Sequence, residues 1–73
     1  MSAKERATAE VVPRSVSSPQ AKLVYLYLRR AGPATPAEIA DGLGLQKLAV
    51  YEVLRSLRGG DLVAHREDGY AVA

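Results

Sequence analysis

No cysteine occurs in the 73 residues. That excludes disulfides and thiolate-bound metals, and it suits an intracellular chain. Histidine occurs once, at His65, so no second imidazole is present to complete a metal site or a catalytic pair. Carboxylates spaced to converge on a pocket are missing, as is a glycine loop of the phosphate-binding kind. Nucleophilic, acid–base and metal-assisted catalysis each therefore lack a member. The chain is expected to be no enzyme and to need no metal or cofactor. No apolar run approaches the ~20 residues of a membrane span, and no signal peptide is visible, so a cytoplasmic chain with no membrane partner is expected. Charge of one sign is scarce too. Ten Lys and Arg stand against eight Asp and Glu, a net charge of +2, which permits a nucleic-acid partner without demanding one.

What is present centres on residues 35–57, TPAEIADGLGLQKLAVYEVLRSL. Thr35 can cap a helix whose first residue is Pro36, with Glu38 three residues after the cap, where its carboxylate can return to the Thr35 amide. The helix is expected to run to about Gly42, because Gly42 and Gly44 reach left-handed φ at little steric cost. A second helix then starts near Gln46. On it Val50, Val53, Leu54 and Leu57 recur at spacings of three and four and form one apolar stripe. Ile39, Ala40 and Leu43 supply the opposing surface, with Ala40 as the small residue at the crossing. Two short helices joined by a tight glycine turn make a helix-turn-helix.

On either side the chain divides at about residue 16. Residues 1–16 lack a sustained period and hold Pro13 and serine, which predicts a flexible arm, with a short helix over residues 3–12 as the alternative. Ser18 and Pro19 start another helix, which ends at Gly32 and Pro33. Its stripe of Ala21, Val24, Leu28 and Ala31 faces the helix-turn-helix, while Leu23, Leu26 and Tyr27 form a second apolar surface. A domain this small has one interior and only a marginal core, so that surface is expected to be a homodimer interface, closed by the arm or by another chain. After Leu57, Gly59 and Gly60 offer a left-handed helix stop. The remainder, LVAHREDGYAVA, predicts a β-hairpin turning at Asp68 and Gly69, with Glu67 opposite Tyr70 and His65 opposite Val72. Ala34 and Thr35 can add a short third strand at its edge.

This order resembles the winged helix-turn-helix family, specifically the small prokaryotic transcription regulators of the MarR, ArsR and TrmB kind. Ala40, Gly44, Val50 and Val53 fall where the general pattern has its small residue, its turn glycine and its two core aliphatics, and LVAHREDGYAV looks like a wing. The implied fold class is α+β: a three-helix winged helix-turn-helix over residues 17–73 with a C-terminal β-hairpin wing. The implied function is a sequence-specific DNA-binding transcriptional regulator. Its partner is double-stranded DNA, with the helix of residues 46–58 in the major groove and the wing on the backbone or minor groove.

On that reading a helical wheel puts Leu48, Glu52 and Arg55 on the far face from the core. Lys47, Tyr51 and Arg58 lie along one flank. Gln46 and Lys47 sit at the helix start, where free amides favour phosphate. Arg55 can fork onto guanine and Gln46 can pair with adenine. Arg66 on the wing, with His65 beside it, is a phosphate or minor-groove candidate. Glu52 repels phosphate unless it accepts from a cytosine amino group or pairs with Arg55 or Ser56, and Leu48 suits a thymine methyl or a protein surface. The alternative function is therefore a winged-helix protein–protein interaction module without DNA binding, in which Leu48 and Tyr51 anchor a protein partner. At this length no separate sensor domain is expected. Regulation is expected from partner proteins, expression level or competition for sites.

Overall fold

The computed structural model describes Val16 and residues 18–73. Of the expected arm, residues 1–15 lie outside the described residues, while Val16 is buried in the core. The described residues form three helices followed by a two-stranded antiparallel hairpin: α1 (Pro19–Ala31), α2 (Pro36–Leu43), α3 (Lys47–Gly59), β1 (Val63–Arg66) and β2 (Gly69–Val72). This is the α+β winged helix-turn-helix arrangement.

Local chemistry explains where each helix begins. The Ser18 hydroxyl accepts from the Ala21 N–H at 3.0 Å, with Pro19 in the first turn of α1. At α2 both halves of the capping box are made: the Glu38 N–H donates to Thr35 Oγ1 at 3.2 Å, and the Thr35 N–H donates to Glu38 Oε1 at 2.8 Å. Each bond satisfies an amide that the first helical turn would leave without a partner. α3 differs, because Gln46 caps it without any side-chain hydrogen bond.

One core unites the elements. Val24, Leu28, Ile39, Val50 and Leu54 are its fully buried side chains, and α1 packs on α2, α3 and β2. Val53 and Leu57 complete the expected stripe of α3. On α1 the buried set is Val24, Tyr25 and Leu28, so the expected stripe is corrected at one end. Ala31 is exposed beside the helix stop at Gly32, and Tyr25 is buried instead because α1 meets neighbours on more than one side.

Three glycine expectations change. Gly42 lies inside α2, and the left-handed residue is Gly44 alone, at φ 67°. A Cβ on Gly42 would come within 2.8 Å of Tyr27 Cε2 and 2.9 Å of the Tyr27 hydroxyl; the glycine admits that ring. At the end of α3 the left-handed residue is Asp61, at φ 60°, rather than Gly59 or Gly60. The Leu62 N–H donates to the Leu57 carbonyl at 2.9 Å and the Asp61 N–H to the Arg58 carbonyl at 3.0 Å, the paired bonds of a Schellman closure.

The hairpin register also differs from expectation. His65 pairs with Tyr70 and Arg66 with Gly69, so Glu67 and Asp68 form the turn. Gly69 is not a turn residue but the first residue of β2, at φ 131°. β2 also makes a contact distant in sequence. Ala34 bridges Tyr70, its N–H donating to the Tyr70 carbonyl at 3.0 Å and its carbonyl accepting from the Tyr70 N–H at 2.8 Å. Where a third strand at Ala34 and Thr35 is expected there is only this isolated bridge, the sheet keeping two strands, and the Gly69 backbone lies against the Ala34 carbonyl, where a Cβ would collide.

Candidate nucleic-acid interface

With the stripe Val50, Val53, Leu54 and Leu57 turned inward, α3 presents its opposite side to solvent. Gln46, Lys47, Leu48, Tyr51, Glu52, Arg55 and Arg58 are all exposed. Lys47, Tyr51, Arg55 and Arg58 follow one another at spacings of four, four and three, which keeps them within one sector of the helix. They form a rail of three cations and one phenol. Glu52 lies beyond Arg55 on the side away from the hairpin, and Leu48 is at the middle of the outward surface.

The rail borders the hairpin. Tyr51, Arg55, Arg58 and Gly59 of α3 and Tyr70 of β2 line a single groove of about 590 Å³. Tyr70 does not stand alone there. Its ring is stacked on His65, with centroids 4.5 Å apart and planes 15° from parallel. Strand alternation then sends Arg66 to the other face of β1, and Arg66 lines a separate hollow at the hairpin tip with Pro33, His65, Glu67 and Asp68. Lys47 borders a third hollow, over the turn between α2 and α3, with Ala37, Ala40, Asp41, Gly44 and Leu45.

The structure thus brings Tyr51, Arg55 and Arg58 together and leaves Arg66 apart from them. Tyr70 is the groove residue that sequence reasoning missed. Its signal was the cross-strand partnership with His65, which the expected register concealed. On α1, Leu23 and Leu26 are 48% and 38% exposed, whereas Tyr27 is half-buried and covers Gly42 within its own chain.

Among the described residues no group of three His, Cys, Asp or Glu side chains is arranged to hold a metal ion, and no helix is long and apolar enough to cross a membrane. The sequence model of a family described as sugar-specific transcriptional regulator TrmB matches residues 18–72. No curated protein and no solved structure matches the chain.

Proposed function

Because the chain belongs to the TrmB family of sugar-specific transcriptional regulators, we propose that it binds double-stranded DNA sequence-specifically in the cytoplasm, as a regulator and not an enzyme. In this reading α3 enters the major groove and the hairpin meets the backbone or minor groove. The observation that carries it is the rail of Lys47, Arg55 and Arg58, exposed along one side of α3 and continued by Tyr51 and Tyr70 to the hairpin. Cations in a line suit the phosphates that flank a groove, while the outward centre of the helix is left to meet base edges.

A homodimer forms part of the proposal. Leu23 and Leu26 give α1 an apolar surface that its own core does not cover, and two recognition helices are what a two-fold operator requires.

A second reading is supported by one observation. Leu48 and Tyr51 are 69% and 51% exposed, and apolar or aromatic side chains on a helix face also serve as anchors for a protein partner. Titrating the protein with random-sequence duplex DNA, followed by amide resonances, separates the two. The DNA reading expects shifts in residues 46–58 and in the hairpin; unshifted amides there would end it.

A further inference from the structure

The outward centre of α3 has an unusual order of chemistry for a surface that meets a polyanion. Leu48 is the most exposed large apolar side chain among the described residues. Glu52 follows one helical turn later and is also exposed. The cations Lys47 and Arg58 lie to one flank of this line, and Arg55 lies between the line and that flank. A face built only for phosphate would put its cations in the middle. Here the middle holds one apolar group and one anion, with Arg55 as the single cation beside them.

A helix lying in the major groove meets phosphates at its flanks and base edges at its centre. Two base edges there match these two side chains. Thymine presents a C5-methyl, the apolar feature of the groove, and cytosine presents an N4 amino donor, for which a carboxylate is an acceptor. We infer that α3 reads pyrimidines, with Leu48 against a thymine methyl and Glu52 accepting from a cytosine amino group. Residues four apart on a helix are separated by about 6 Å along its axis, close to two base steps of ~3.4 Å. The two pyrimidines therefore fall within two base pairs of each other. The inference rests on the DNA reading. It favours DNA over a protein partner for Leu48 because the flank towards the hairpin is cationic.

The test uses duplexes enriched by the full-length chain from a random pool. In the best duplex each thymine is replaced singly by uracil, which removes only the methyl group. Affinity should fall about fourfold at one position, the equivalent of one methyl-sized apolar contact at ~0.8 kcal/mol. Leu48→Ala should bind the thymine and uracil duplexes equally. Glu52→Gln should shift preference at a nearby position from cytosine towards adenine, which a side-chain amide pairs with. Both positions are exposed, and unchanged thermal unfolding would show the fold intact. If no duplex is bound at all, the DNA reading itself fails and takes this inference with it. If duplexes are bound but none is enriched, DNA binding stands while its sequence specificity fails together with the pyrimidine assignment; if one is enriched but uracil is tolerated at every position, the DNA reading stands and the pyrimidine assignment alone is overturned.

Discussion

His65 stacks on Tyr70 across the hairpin, with ring centroids 4.5 Å apart. The stack links two surfaces that are distant in sequence, because Tyr70 also forms one wall of the groove against Tyr51, Arg55 and Arg58 of α3. Aromatic pairs of this geometry contribute about 0.5–1.5 kcal/mol beyond their buried area. His65→Ala should lower stability by about that amount and loosen the Tyr70 ring. Urea unfolding checks the first effect. Faster hydrogen exchange confined to the hairpin amides checks the second, and uniform exchange would show that the stack does not hold the wing.

Gly69 and Gly42 predict opposite tolerances. At Gly69 a Cβ would meet the Ala34 carbonyl and approach the Thr35 nitrogen to 2.8 Å, at a φ of 131°. Neither obstacle is mobile. Gly69→Ala should destabilise by about 2 kcal/mol or more, from backbone strain together with the broken bridge. At Gly42 the obstacle is the far end of the Tyr27 side chain, which can swing, and alanine recovers up to ~1 kcal/mol of helix propensity. Gly42→Ala should therefore stay within about 1 kcal/mol of wild type in the same urea titration. Equal losses at the two sites would contradict this account.

Thr35→Ala should remove an acceptor for the Glu38 amide and destabilise by about 0.5–2 kcal/mol, with Glu38→Ala adding less than its separate effect because the two bonds form one box. Thermal unfolding of the double-mutant cycle measures the coupling.

That capping box was legible in sequence because everything it needs lies within four consecutive residues, 35–38. The same holds for the cap at Ser18 and for the apolar stripe of α3, whose period belongs to the helix itself. The hairpin register was not legible, since Asp68 and Gly69 make a strong local turn signal, whereas Gly69 belongs to β2 with its backbone against Ala34. Gly42 misled because it lies inside α2, where its close neighbour is Tyr27 on another helix. Of the candidate interface, the exposed residues of α3 could be read from its wheel. The groove could not, because Tyr70 joins Arg55 and Arg58 only once the register is correct.

Leu26→Glu tests the homodimer. Leu26 is 38% exposed beside Leu23, and a carboxylate buried at an apolar interface without a partner is strongly unfavourable. Sedimentation should show a dimer for the wild type that dissociates in the variant, with the fold retained because this position already reaches solvent. An unchanged dimer would move the interface to another surface.

The cationic rail makes the last prediction, in the salt dependence of DNA affinity. Each phosphate contact contributes about 0.9 to the slope of log affinity against log salt on duplex DNA. Lys47→Ala and Arg58→Ala should each reduce that slope by about one contact per protomer and weaken all sequences alike, since a phosphate carries no sequence information. Arg55 lies nearer the outward centre. If it reaches a base, Arg55→Ala should cost about 1–3 kcal/mol and relax preference at one position; if it reaches phosphate, it should follow Lys47 and Arg58. Glu52→Gln should act in the other direction and raise nonspecific affinity by removing a negative charge from the same face. An affinity that does not change between low and high salt would mean that the rail does not face phosphate. The exposed Leu48 and Tyr51 would then become the anchors of a protein interface, at which Leu48→Ala abolishes capture and Arg55→Ala is mild.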